Sequence, residues 1–184
     1  MSKLNKIIKG IGVLVILLIL FRGFLYRNIV NYSKIEARNN VNLTDKVLIK
    51  EIDQQIEKNI LTIEEIIELS NKITSEKLKF TFSKVPSNPN LIFKTKKANC
   101  IGYSSLFNSI GNYILKKQKM TNEYEFNHLV GKLYIFGFNI HNLLSSPFFR
   151  DHDFNEIRYK KTNNKKHVDP SLRDYLRIEY VNSK

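Results

Sequence analysis

The first feature of this sequence that could carry chemistry is its single thiol, that of Cys100. Asn99, immediately before it, is a good helix N-cap, so Cys100 falls in the first turn of a predicted helix. The helix dipole and the unpaired backbone N–H groups of that turn favour a thiolate over a thiol. The positive charges of Lys96 and Lys97 act in the same direction. The pattern predicts a reactive thiol, and the alternative is a small buried hydrophobic residue.

A thiol nucleophile also needs a base and a group that orients the base. His152 stands apart from the other histidines, because it alone begins a strand-like segment that is followed, after one loop, by Asp169 in an Asp-Pro pair. The alternatives are that His152 is a structural histidine and that Asp169 is only a turn residue. The remaining histidines are His128, His141 and His167.

Two other uses of these histidines are less specific. His128 and His141 are expected to be surface or core residues. A metal site formed by His141, Asp151, His152 and Asp153 has no recognised ligand spacing, so neither a metal nor another cofactor is expected.

The loop between the two segments decides whether His152 and Asp169 can meet. A two-residue turn at Asn163-Asn164 would set Asp169 opposite Arg158. A loop centred on Lys160-Lys161 would set Asp169 directly across from His152. Asn-Asn is the better turn by local chemistry. A site made of these residues therefore requires a longer loop, a bulge or an offset loop.

The elements that must position these side chains follow from the hydrophobic pattern. Residues 44–59 and 62–78 place apolar side chains at helical spacing, and Thr62 with Glu65 forms a capping box at the start of the second segment. A third apolar stripe follows Asn99 and contains Tyr103, Leu106, Phe107, Ile110, Tyr113 and Ile114.

Strand patterns come later in the chain. Residues 86–90 contain two prolines and predict an irregular connection. Residues 129–136 and 152–159 have the composition of strands. Helices therefore come first and strands follow, which predicts an α+β fold with helices packed on an antiparallel sheet.

The amino-terminal segment, residues 1–27, has five basic residues and no acidic one. Residues 10–21 form an uncharged apolar run that is shorter than the roughly 20 residues needed to cross a bilayer. A longer segment that includes Lys9 and Arg22 reaches that length, and both of these side chains can snorkel to the interfaces. We expect an uncleaved signal anchor, with a cleaved signal peptide and a buried core helix as alternatives. The basic residues before the run favour a cytoplasmic amino terminus and an extracytoplasmic domain at residues 28–184.

The composition limits the remaining classes of protein. The formal net charge is +13 over 184 residues, which favours anionic partners such as lipid head groups or an acidic cell-envelope polymer. The lysines are scattered and no nucleic-acid-binding module is visible, so nucleic acid is not an expected partner. One cysteine excludes an internal disulfide framework and a cysteine-rich zinc module.

Three short motifs together resemble the transglutaminase-like superfamily, which has a papain-related architecture. They are Asn-Cys-Ile-Gly-Tyr-Ser-Ser-Leu-Phe at residues 99–107, His-Asp-Phe-Asn-Glu-Ile at 152–157 and Val-Asp-Pro-Ser-Leu at 168–172. The order Cys, His, Asp is that of the family, and the similarity covers about residues 60–175. The resemblance implies that Cys100 is the nucleophile, that His152 is the general base and that Asp169 orients His152.

The resemblance also implies an activity. A membrane-anchored thiol enzyme of this type would act on amide bonds of a protein or peptide through a Cys-His-Asp catalytic triad. Small bacterial members of the superfamily favour a hydrolase (cysteine protease or amidase) over an acyltransferase. One alternative is a catalytically silent transglutaminase-like binding module anchored at the membrane, and another is an unrelated basic membrane-bound interaction protein.

Overall fold

The computed structural model describes residues 3–57, 59–143, 146 and 149–184. The helices are α1 (Lys3–Leu20), α2 (Arg22–Ile29), α3 (Lys46–Ile56), α4 (Ile63–Lys77), α5 (Pro89–Thr95), α6 (Cys100–Lys117) and α7 (Pro170–Leu176). The strands are β1 (Val30–Arg38), β2 (Lys79–Phe80), β3 (Lys97–Ala98), β4 (Tyr124–Ile135), β5 (Phe138–Asn139), β6 (His152–Tyr159), β7 (Asn164–Val168) and β8 (Asn182–Ser183). A short 3₁₀ helix covers Ile140–Leu143.

The α+β class is confirmed, but the sheet is mixed rather than purely antiparallel. Its strand order is β7-β6-β4-β1-β8, with β5 paired to β4. The pairs β7–β6, β6–β4, β4–β1 and β4–β5 are antiparallel, whereas β8 runs parallel to β1. A bridge between His167 and Val181 joins β7 to the residue before β8, so the sheet curls back toward itself. β2 and β3 form a separate parallel pair just before Cys100.

Local signals placed the long helices correctly. The capping box of Thr62 and Glu65 is present in full at the start of α4. Asn99 caps α6, as predicted. Residues 86–90 were expected to be irregular, but a short helix begins within them. Asn88 caps α5, which has Pro89 in its first turn.

Strands differ more from the sequence-based expectation. β6 coincides with the predicted segment, and β4 is longer at its amino-terminal end than residues 129–136. β1 was not predicted at all. Its pairing partners lie at the far end of the chain in β4 and β8, so no local turn signal indicates it.

The register between β6 and β7 corrects both loop models. Asn155 pairs with Val168 and Tyr159 pairs with Asn164, so residues 160–163 form a four-residue connection. Asn163 adopts a left-handed conformation in it, with φ of 58°. The same register, continued by one residue, sets Asp169 opposite Phe154 and diagonal to His152 on the same face of the sheet. Diagonal neighbours are within reach of long side chains, so the four-residue connection is the longer loop that a contact between His152 and Asp169 was expected to require.

The two faces of the sheet are covered differently. One face packs on α6, with α3 and α4 behind it, in a core that contains Phe107, Phe126 and Ile157. The other face carries a smaller apolar cluster that includes Tyr32 and Phe154. His152 and Asp169 belong to this second face, near α2 and α7.

The amino-terminal helices extend from the packed domain. The large apolar side chains of α1 from Ile7 to Leu20 are all exposed, which is unlike a core helix. Among the described residues, no single helix is long and apolar enough to cross a bilayer. α1 from Ile7 onward and α2 meet that requirement only together, and they are bent by 70° at their junction. The boundary predicted after residue 27 falls within α2.

We predict that Gly111→Ala destabilises the domain. An added Cβ would lie 2.5 Å from two ring carbons of Phe126, which is fully buried. Overpacking of this kind costs about 1–3 kcal/mol, against a helix-propensity gain of about 1 kcal/mol. Denaturant unfolding followed by circular dichroism measures the free energy. Gly12→Ala, with no atom within 4 Å of the added Cβ, is the matched control. Equal stability of the two variants would contradict the packing of α6 on β4.

Candidate active site

Cys100 lies at the amino-terminal end of α6, as the sequence predicted. The Oδ1 atom of Asn99 accepts a hydrogen bond from the Gly102 N–H at 3.3 Å, which fixes the first turn. A Cβ on Gly102 would lie 2.7 Å from the Cβ of Ala98, so a glycine is needed where β3 turns into the helix. The Cys100 residue is 6% exposed, so its sulfur lies at the edge of the core.

His152 is hydrogen-bonded to Asp169 and lies near Cys100. Its Nε2 lies 2.7 Å from the Asp169 Oδ2, and the Cys100 side chain is close enough to interact with the ring and raise the pKa of His152. A carboxylate can only accept a hydrogen bond, so Nε2 is protonated and donates the hydrogen bond to Asp169. Nδ1 is then the nitrogen left for the thiol. This tautomer can accept a proton from sulfur, and Asp169 holds the ring in place.

The charges of this row favour a protonated imidazole. Burial alone lowers the pKa of His152, but the Asp169 charge and the hydrogen bonds to Asp169 and Cys100 outweigh it, so the pKa lies well above its usual value. An imidazolium next to a thiol favours the thiolate.

Asp169 is a buried carboxylate whose oxygens both have several donors. Oδ1 caps α7 by accepting from the N–H groups of Ser171 and Leu172, and it also accepts from the Ser171 hydroxyl at 2.7 Å. Oδ2 accepts from His152 and from the Tyr32 hydroxyl, the latter at 2.9 Å. Burial works to raise the pKa of Asp169, yet the charge of His152 and these hydrogen bonds hold it below its usual value. Asp169 is therefore an anion with a fixed orientation.

Tyr32 is a site residue that the sequence analysis missed. It lies on β1, is 1% exposed, and its ring contacts the rings of His152 and Phe154. Because its hydroxyl donates to Asp169, it accepts from the hydroxyl of Tyr26 on α2 at 2.8 Å. The one available signal was the alternation of Val30 and Tyr32 with polar residues, which is weak without knowledge of the pairing strand.

A second buried carboxylate lies next to His152 on the opposite face of β6. Asp153 accepts from Arg38 of β1 through both oxygens and contacts His128 Nε2 of β4 at 2.7 Å. Burial works to raise the pKa of Asp153, but the hydrogen bonds from His128 and Arg38 hold it below its usual value. This ion cluster ties three strands together beside His152. His128 is thus a buried structural residue, in line with its expected role.

The conceivable metal site does not form. His152 is directed to Asp169, and Asp153 is directed to Arg38 and His128. The ring nitrogens of His141 contact the N–H of Leu133 and the carbonyl of Phe149. Within residues 3–57, 59–143, 146 and 149–184, no group of three or more His, Cys, Asp or Glu side chains is arranged to hold a metal ion.

Comparison of the chain with protein-family models, with curated proteins and with solved structures gives no match. The Cys100–His152–Asp169 row within an α+β domain is therefore interpreted from its own geometry.

We predict that Asp169→Asn lowers the pKa of His152, because it removes the negative charge that is hydrogen-bonded to the ring. The His152 contribution to the free energy of unfolding is present below the unfolded pKa and is lost as the pH rises through the folded pKa. In Asp169→Asn this loss should therefore occur at lower pH. NMR titration of the imidazole protons measures the shift, with Asp53→Asn on the surface as control. An unchanged His152 pKa would contradict the ion pair.

We also predict that Tyr32→Phe destabilises the domain by about 1–3 kcal/mol, because it removes a buried donor from Asp169 and a buried acceptor from Tyr26. Tyr113→Phe removes a similar hydroxyl that donates to Asp53 at 2.7 Å near the surface, where the loss should be less than about 1 kcal/mol. Denaturant unfolding of both variants gives the comparison. Equal losses would show that the buried hydroxyl of Tyr32 has no special role.

Proposed function

We propose that this protein is a membrane-anchored thiol enzyme of transglutaminase-like type that acts on amide bonds of a protein or peptide. One observation carries the proposal: the imidazole of His152 is hydrogen-bonded to the buried Asp169 and interacts with the side chain of Cys100, the one thiol of the sequence. Nucleophile, base and orienting group thus occur in the order that a triad requires. The sequence motifs that resemble the superfamily support the same assignment.

The proposed reaction begins from the ion pair that forms when Cys100 passes its proton to His152. The thiolate attacks the amide carbonyl carbon, and the backbone N–H of Cys100, in the first turn of α6, would stabilise the oxyanion. His152 then gives its proton to the leaving amine, the C–N bond breaks, and a thioester remains on Cys100. Water resolves the thioester to an acid, or an amine resolves it to a new amide. Asp169 keeps the ring oriented throughout and stabilises its positive charge.

We propose further that α1 anchors the enzyme in a membrane. Its apolar residues are exposed on every side, which is the pattern of a helix surrounded by lipid rather than one packed on a core. The uncharged run is short, and Lys9 and Arg22 at its ends can reach the head groups. The basic residues before the run favour an extracytoplasmic domain.

A second candidate is a silent binding module with the same fold. It is favoured by the low exposure of Cys100, since a buried thiol is reached less easily by a substrate. The two candidates differ in the ionisation of the thiol, which can be measured directly.

We predict that iodoacetamide alkylates Cys100 of the full chain at a rate that is nearly constant from pH 6 to pH 8. A Cys100 thiolate paired with a protonated His152, as proposed, would react at a rate that changes little over this range, whereas an ordinary thiol reacts about tenfold faster for each pH unit below its pKa. The pH profile separates activation from shielding, because shielding alone lowers the rate equally at every pH.

His152→Gln is the matched variant, and its alkylation rate should rise steeply with pH. Cys100→Ser should take up no label and should not hydrolyse fluorogenic peptide amides that the wild-type protein cleaves. A wild-type alkylation rate that rises tenfold per pH unit would overturn the proposed enzymatic activity and favour the silent binding module.

A further inference from the structure

The turn between β4 and β5 exposes two aromatic side chains at its tip. Phe136 and Gly137 are its central residues, with φ of 50° and 85°, and Ile135 pairs with Phe138 across it. Phe136 is 73% exposed and Phe138 is 75% exposed. A Cβ placed on Gly137 would meet no atom within 4 Å, so the tip projects away from the domain.

The fold itself does not explain a phenylalanine at this position. Turns with two positive φ values favour Asn-Gly or Gly-Gly, because other side chains cost about 1–2 kcal/mol there. Phe136 bears this cost while most of its ring faces solvent rather than a core. A strained and exposed aromatic residue indicates a contact made outside the domain.

This tip lies beside α2, the helix that connects the domain to α1. The Phe136 N–H donates to the Ile29 carbonyl at the carboxyl end of α2, at 3.0 Å. At the other end of α2, Arg22 Nε donates to the Leu176 carbonyl of α7 at 2.7 Å. Further exposed apolar side chains lie near these contacts, namely Phe24 and Leu176.

The segments that form this region are basic. Residues 1–35 include Arg22, Arg27 and Lys34, and residues 126–150 include Lys132 and Arg150. Neither segment has an acidic residue, and α7, which contributes Leu176, has one residue of each sign, Arg173 and Asp174. Exposed aromatic side chains with basic neighbours match the interface of an anionic bilayer, where each lysine or arginine near the surface contributes about 1 kcal/mol.

We propose that the surface formed by Phe24, Phe136, Phe138 and Leu176, here called the α2 surface, docks into the head-group region of an anionic membrane. The inference rests on the proposed anchoring by α1, because α1 leaves the domain at this surface with a 70° bend. α2 then lies near the membrane plane while α1 enters the bilayer.

This docking restricts the substrate. Tyr26 lies on α2 and is joined through Tyr32 to Asp169. Asp169 is therefore separated from the docked surface by the diameter of α2, roughly 10 Å, and by two hydrogen bonds of 2.8 and 2.9 Å. The amide that the enzyme cleaves would belong to a membrane-tethered chain, close to the point where that chain leaves the lipid.

Tryptophan fluorescence tests the docking, because the chain contains no tryptophan of its own. Three full-length variants, Leu14→Trp, Phe138→Trp and Ile60→Trp, are reconstituted in phosphatidylcholine–phosphatidylglycerol vesicles with brominated acyl chains. Ile60 is 92% exposed and lies at the opposite end of α6 from Cys100, where Gln118 binds the neighbouring residue, Leu61. Ile60→Trp therefore gives the fluorescence of a side chain in water.

We expect bromine to quench Leu14→Trp and Phe138→Trp at least threefold more than Ile60→Trp, with blue-shifted emission for both. Phe24→Trp should follow Phe138→Trp, which keeps the test valid if one variant folds poorly. Quenching of Leu14→Trp alone would keep the anchor and overturn the docking. A blue shift of Phe138→Trp without bromine quenching would also overturn it, since a second copy of the chain would then cover the surface. None of these readings depends on enzymatic activity, so the proposed reaction can fail independently.

Discussion

The buried charge of Asp169 is the constraint on which the rest of the site depends. A carboxylate removed from water is stable only when donors surround it, and these donors come from three parts of the fold. They are the ring of His152 on β6, the hydroxyl of Tyr32 on β1, and the N–H groups and hydroxyl at the start of α7. The requirement to satisfy one anion thus brings together elements that are distant in sequence.

The same principle acts on the other face of β6. Consecutive residues of a strand point to opposite faces, so His152 and Asp153 serve two separate ion clusters. Asp153 binds Arg38 and His128 and thereby joins β6 to β4 and β1. The strand is held from both sides at the point where the imidazole must stay in register. A histidine on a less constrained strand would hold its ring nitrogen less firmly on the Asp169 carboxylate.

Local signals in the sequence predicted the parts of the fold that depend on short-range interactions. The caps at Thr62 and Asn99 placed α4 and α6, and the residue pattern placed β6. What could not be predicted depends on pairing between distant segments. β1 and its Tyr32 acquire their role only through β4 and β8, and the β6–β7 register came from a four-residue loop that turn preferences did not favour. Cys100, His152 and Asp169 could be named as candidate site residues, but Tyr32, which supports Asp169, could not.

The position of β1 between β4 and β8 has a consequence for the order of folding. β1 directly follows the amino-terminal helices, yet it pairs with β4 and with Asn182 and Ser183 of β8, which are synthesised much later. Long-range pairings of this kind close slowly and require most of the chain to be present. Tyr32 therefore reaches Asp169 only at a late stage, after α1 and α2 have left the ribosome. During biosynthesis, Asp169 would therefore gain its Tyr32 donor only once the carboxyl-terminal part of the sheet is available.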